Sequence, residues 1–173
     1  EEALRRELER LPEEVRAHTE RVLDEALRLV ARHGVDASRV RPAVLAHDLL
    51  RVTPREDVLR LAGEMGHEPN EAERAEPLLL HGRLAAALLR ERFGIDDAEV
   101  LDAVRYHTTG RAGMSDVEEV VFLADKTEPD GLAHYPEWRE VRDLAQDDLD
   151  SVLPVRGSHQ GDSRGLPRNQ WRT

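Results

Sequence analysis

Along this chain, apolar positions recur every three to four residues and rarely alternate, a spacing that predicts helices from end to end. Pro12 and the acidic residues after it open a helix running to about His33, with Val15, His18, Val22, Ala26, Leu29 and Val30 on one stripe. Gly34 stands where a helix ends in a left-handed residue. Asp36 or Ser38 starts the next helix, which includes "AVLAHDLLR", residues 43–51. Thr53-Pro54-Arg55-Glu56 has the form of a capping box with proline at the first helical position, and opens a third helix through Met65. A polar connection from Gly66 to Pro77 carries one short helical turn at Asn70 to Ala75.

Leu78 to Gly82 enters a helix that runs to about Phe93, and Asp96 caps another, with Val100, Val104 and His107 on one face. "HTTGRAGMS", 107–115, reads as a glycine-rich loop. Ser115 and Glu118 form a second capping box ahead of "DVEEVVFLADK", and a last helix spans about Pro136 to Leu153. The expected architecture is all-α: one domain over 1–153, then an irregular Gly-, Pro- and Arg-rich tail over 154–173.

Composition narrows the picture. A chain of 173 residues is long enough for one domain with a substantial core. Aromatics are only 3% of it, so Leu, Val and Ala must fill that core, which favours helix packing. A net charge of -11 argues against a nucleic-acid polymer as partner, but leaves room for a small anion in a locally positive or metal-bearing pocket. Without cysteine there is no disulfide and no thiolate nucleophile or ligand. No apolar run approaches the ~20 residues of a membrane span, and no signal-peptide pattern precedes the domain. A cytoplasmic location is expected.

Five polar sites break the apolar faces. They are His18, the pair His47-Asp48, His81, His107 and Asp125. A single histidine on such a face is commonly a hydrogen-bonded core residue, and a single aspartate commonly a cap or an arginine partner. Burying a carboxylate without a partner or a cation, however, costs several kcal/mol or more. Four histidines and two aspartates on inward faces of several helices share one explanation in a metal centre. Imidazole and carboxylate suit iron, manganese and zinc, and helical bundles build such sites from inward-facing side chains. His33, His67, His134 and His159 lie beside a helix end, in polar loops or in the tail, and read as structural or solvated.

The order His18, His47-Asp48, Asp125 resembles the HD superfamily of metal-dependent phosphohydrolases. Longer stretches resemble its YqeK-type branch of symmetrical bis(5'-nucleosyl)-tetraphosphatases: "HTERV" at 18–22, "LAHD" at 45–48, "LLHG" at 79–82, "YHTTGRAGMS" at 106–115 and "ADKTEP" at 124–129. The resemblance covers about residues 10–153. It implies an HD-domain helical bundle in which His18, His47, Asp48 and Asp125 bind a divalent metal, iron first, with manganese, cobalt or zinc as alternatives. It also implies a nucleotide substrate, diadenosine tetraphosphate, contacted by His18, Arg51, His81, His107, Thr108 and Asp125. His81 and His107 could instead hold a second metal, as related histidines do in some HD enzymes.

On this resemblance Asp48 is both ligand and orienter of the attacking water, and Arg51 neutralises phosphate charge together with His81 and His107. Two positions depart from the branch. Arg51 stands where lysine is usual, trading a point charge for a planar fork. Asp130-Gly131 stands where an arginine usually follows Glu-Pro, so Lys126 or a tail arginine would have to supply that charge. The "TTGRAG" loop could donate backbone N–H groups to phosphate or be a plain helix–helix turn. Competing activities are a 5'-nucleotidase, another nucleotide phosphohydrolase, or a nucleotide-binding regulator with little turnover. A homodimer is compatible with the sequence. The tail, with Arg156, Arg164, Arg168, Arg172 and Trp171, could fold over the pocket or stay solvated.

Overall fold

The computed structural model describes residues 1–149, so the boundary at 153 and the tail with its arginines and Trp171 lie outside the described residues. The helices are α1 (Glu2–Leu8), α2 (Glu13–His33), α3 (Ala37–Ala46), α4 (Arg55–Glu64), α5 (Glu71–Ala75), α6 (His81–Phe93), α7 (Ala98–Tyr106), α8 (Asp116–Thr127), α9 (Pro129–His134) and α10 (Trp138–Asp147). A 3₁₀ turn, Pro77–Leu80, leads into α6. The described residues contain no strand, in agreement with the all-α expectation, and no helix long and apolar enough to cross a membrane.

Most boundaries follow the local chemistry of the sequence. Gly34 ends α2 at φ 70°, with its N–H on the Val30 carbonyl. Asp36 caps α3 by accepting from the Ser38 N–H. The Ser115–Glu118 capping box opens α8, and a further box, Asn70–Glu73, opens α5.

Four expectations are corrected. The helix through 43–51 stops at Ala46, and His47 to Val52 form turns. The reason is local: the His47 ring takes the Val44 carbonyl, which the Asp48 N–H would need to continue the helix. The Thr53 box does not form, because Pro54 itself occupies the N-cap of α4. Asp97, not Asp96, caps α7; Asp96 faces solvent and pairs with Arg90 at 3.3 Å. The last helix starts at Trp138 rather than Pro136, and its helical hydrogen bonding ends at Asp147. Two short helices, α1 and α9, have no counterpart in the periodicity, being too short to display one.

The core is aliphatic, as the composition requires. Helix α8 runs through the middle, buried from Val117 to Ala124, and packs on α2, α3 and α7. Val22, Ala26, Leu29, Val40, Val44, Val104 and Val121 close around it. A smaller cluster of Val58, Ala62, Leu80 and Leu84 joins α4 to α6.

Helices α6 and α7 approach unusually closely at Gly82. A Cβ there would stand 2.8 Å from the Val104 carbonyl oxygen and 3.1 Å from both the Arg105 carbonyl oxygen and His107 Cε1. Only glycine fits, and that contact sets His81 against His107. Gly82→Ala should therefore lower stability by about 1–3 kcal/mol, the usual cost of overpacking. Thermal unfolding followed by circular dichroism measures it, and an unchanged midpoint would refute the close-contact argument.

Candidate metal centre and substrate cleft

Three helix ends deliver three imidazoles. His47 is the C-cap of α3, His81 the C-cap of the 3₁₀ turn, and His107 the C-cap of α7. Each ring makes the same bond. Nδ1 contacts the carbonyl three residues back: Val44 at 2.6 Å, Leu78 at 2.5 Å and Val104 at 2.7 Å. A carbonyl only accepts, so Nδ1 carries the proton, and in the neutral ring Nε2 is left with a lone pair. The arrangement satisfies a helix-end carbonyl and at the same time aims a metal-ligating nitrogen inward.

The Nε2 atoms converge on Asp48. Its Oδ1 lies 3.2 Å from His81 Nε2 and 3.5 Å from His107 Nε2, and its Oδ2 lies 3.6 Å from His47 Nε2 and 3.7 Å from His18 Nε2. Asp125, in the last turn of α8, places Oδ1 3.1 Å from His18 Nε2 and 3.9 Å from His47 Nε2. Two donor sets result, His18/His47/Asp125 and Asp48/His81/His107, each with its ligand atoms mutually within 4.8 Å.

The electrostatics require a positive charge among these atoms. The Nε2 atoms of His81 and His107 are only 3.0 Å apart, and the single Thr108 hydroxyl proton, 3.0 and 3.4 Å away, can serve only one of them. Protonating His107 is opposed by burial, which pushes its pKa down to about 4 despite the nearby Asp48. For Asp48, burial favours the neutral acid, but the imidazoles of His47, His107 and His81 outweigh it and hold the carboxyl well below its ordinary range. Asp125 behaves alike: burial opposes ionisation, and Lys126 and His18 overcome it. The donor set, two buried carboxylates and the imidazoles that converge on them in a low-dielectric interior, fits a divalent cation.

His18, from the middle of α2, is less buried and is held differently. Its Nδ1 lies 3.5 Å from Glu128 Oε1. Burial alone would lower the His18 pKa, but the Asp125 hydrogen bond and the charges of Asp125, Asp48 and Glu128 raise it. Glu128 is itself fixed by Arg21 Nε at 2.7 Å and by the N–H groups of Asp130 and Gly131 at 3.0 and 2.8 Å. Sequence reasoning did not single out Glu128; the signal available was Glu-Pro at the head of a helix.

These groups open onto a cleft of about 560 Å³. Arg51 lines it, and its guanidinium makes no hydrogen bond or ion pair among the described residues. Lys126 lines it with Nζ 2.5 Å from Asp125 Oδ2. Of the 107–115 loop, only His107 and Thr108 reach the cleft. The Gly110 N–H is used on the Tyr106 carbonyl, and Arg111 is tied to the buried Glu118 and lies over the Tyr106 ring. Most of that loop is therefore a braced helix–helix turn. The structure thus brings together every residue singled out for the site: His18, His47, Asp48, His81, His107, Thr108 and Asp125 in one cluster, with Arg51 in the same cleft. His33 instead contacts the Ala145 carbonyl, and His134 the Asp130 carbonyl.

Known proteins share this arrangement of chain. The HD domain family model matches residues 15–130. The symmetrical bis(5'-nucleosyl)-tetraphosphatase of Bacillus subtilis (strain 168) is 35% identical over 153 residues, covering 88% of this chain and 81% of that protein. Its Staphylococcus aureus namesake is 35% identical over 161 residues, covering 88% and 78%. A crystal structure from Clostridium acetobutylicum, described as a predicted HD superfamily hydrolase involved in NAD metabolism, superposes with a TM-score of 0.80 at 32% identity, covering 88% of this chain and 80% of that one. On the family match and on identity sustained over most of both chains, the protein belongs to the HD domain family, beside the symmetrical bis(5'-nucleosyl)-tetraphosphatases.

Proposed function

We propose that this HD phosphohydrolase splits dinucleoside tetraphosphates, diadenosine tetraphosphate in particular, into two nucleoside diphosphates. The cation would be held by His18, His47, Asp48 and Asp125. The observation that carries this reading is the convergence of imidazole Nε2 atoms on the buried Asp48 at the base of an open cleft. Iron is the metal proposed, and manganese, cobalt and zinc suit the same donors. When bound, such a cation supplies Lewis acidity to phosphoryl oxygen and to water.

The chain's own residues do the rest. Asp48 orients the attacking water toward phosphorus. Arg51 and Lys126 neutralise charge on the phosphate oxygens as it grows toward the transition state. The Thr108 hydroxyl donates to a phosphate oxygen. Lys126 takes the part played by the branch arginine, since a side chain at Gly131 would place its Cβ 3.0 Å from the Lys126 carbonyl oxygen. Glu128 and Arg21 keep the His18 ring in place.

His81 and His107 have two readings. As phosphate contacts they would have to donate from Nε2, which needs the protonated ring that burial disfavours at His107. As lone-pair donors beside Asp48 Oδ1 they suit a second cation, and their tautomer favours that role.

Asp125→Ala should lose bound metal and lower activity by more than about 100-fold, above the 10- to 100-fold typical of losing a group that merely orients a ligand. Its helical circular dichroism should persist. Full metal occupancy in that variant would remove Asp125 from the ligand set. His81→Ala separates the two histidine roles. A fall of one metal equivalent supports the second cation. Unchanged metal content with a raised KM supports phosphate contact, and no change in either removes both. The reaction is tested by chromatography of the products formed from diadenosine tetraphosphate with iron or manganese present. ADP should be the only nucleotide product. AMP plus ATP, or phosphate released from AMP with the dinucleotide untouched, would overturn the assignment.

A further inference from the structure

The cleft has two chemically unlike parts. One is the cluster of imidazoles and carboxylates. The other comes from one stretch of chain, the end of α9 and the start of α10, which contributes Tyr135 and Trp138. The protein has only two Trp, two Tyr and two Phe, yet it spends two of them on this wall.

The core does not explain Tyr135. It is 58% exposed, one of three large apolar side chains so placed among the described residues. The backbone nevertheless holds it firmly. Its N–H donates to the Gly131 carbonyl at 2.8 Å, and its own carbonyl accepts from the Trp138 N–H at 3.1 Å. That turn fixes the backbone positions of the two residues relative to each other. Trp138 is braced from behind by Phe122, with ring centroids 6.1 Å apart and planes inclined at 66°. Two aromatic side chains lining the same cleft as the imidazole–carboxylate cluster, one braced by Phe122 and one exposed, offer faces for stacking.

We propose that Tyr135 and Trp138 form a nucleobase subsite, on which the base of the retained nucleoside diphosphate stacks. This deepens the phosphohydrolase reading and rests on it. With the phosphates at the metal cluster, the base must lie elsewhere in the same cleft, and these are the aromatic faces among the described residues that line it. Every base has a π-face, so a stacking platform tolerates base identity. The substrate class is accordingly dinucleoside tetraphosphates of either purine.

The test is calorimetric titration of the full-length, metal-loaded protein with ADP, GDP and inorganic pyrophosphate, the last being the probe without a base. Tyr135→Ala should weaken ADP and GDP roughly tenfold, the order expected for one lost stacking partner. Pyrophosphate affinity should stay as it was. Tyr135→Phe, which keeps the ring, should restore nucleotide affinity, and the exposed position makes misfolding of either variant easy to exclude by thermal melting. Three outcomes overturn the subsite: ADP affinity unchanged in Tyr135→Ala, an equal loss for pyrophosphate, or a wild-type protein that binds ADP no better than pyrophosphate. A wild-type protein that binds ADP but not GDP overturns the tolerance of base identity. The comparison of ADP with pyrophosphate reads the base contact whichever bond is cut, so its failure is distinct from a failure of the product analysis.

Discussion

Everything at the centre of this protein depends on one hydrogen bond made three times. An imidazole at a helix C-terminus gives its Nδ1 proton to the carbonyl three residues back, at Val44, Leu78 and Val104. At Val44 the bond takes a helix-end carbonyl whose next helical donor has turned away, while the Leu78 carbonyl accepts from the His81 N–H as well. The bond also fixes the tautomer and the ring plane, and so the direction of each Nε2 lone pair. Secondary structure and ligand geometry are therefore the same feature. Moving any of these helix ends would move one of the clustered imidazoles with it.

The surrounding packing amplifies the charges it encloses. Val, Leu and Ala on α2, α3, α7 and α8 exclude water, so Asp48 and Asp125 face each other's fields with little screening. Two cations line the pocket against four carboxylates and offset part of this charge. Lys126 pairs with Asp125, and the Arg51 side chain has no partner among the described residues, in a chain whose net charge is -11. Carboxylates dominate the outer surface, where most pair with arginines along helix faces at little energetic consequence.

Much of the site was legible because burial and polarity conflict in the sequence. His18, His47, Asp48, His81, His107 and Asp125 all stand at positions where the periodicity demands an apolar residue, and all come together. Their motifs also carried the family resemblance. What escaped the sequence was short or relational. Helix α9 is one and a half turns long and has no period to detect. Its cap Glu128 looks like any acidic residue before proline, and only the fold brings it to His18. Tyr135 and Trp138 read as loop and helix-start residues, since nothing local says that they meet the cleft. The end of α3 at Ala46 was hidden because side-chain capping by His47 competes with a helix that propensity alone would extend.

The clustered donor side chains come from distant parts of the chain. His18 and Asp125 are 107 residues apart, yet their side chains touch. Each donor set draws on three separate segments of the chain, so an unfolded chain would bind a cation poorly and the native state better. By mass action the cation is then a stabilising ligand of the whole fold, adding about 1.4 kcal/mol for each tenfold rise in its free concentration above the dissociation constant. A cell short of the metal would hold less of this protein as well as a less active one, because the empty chain unfolds more often and is cleared by proteolysis.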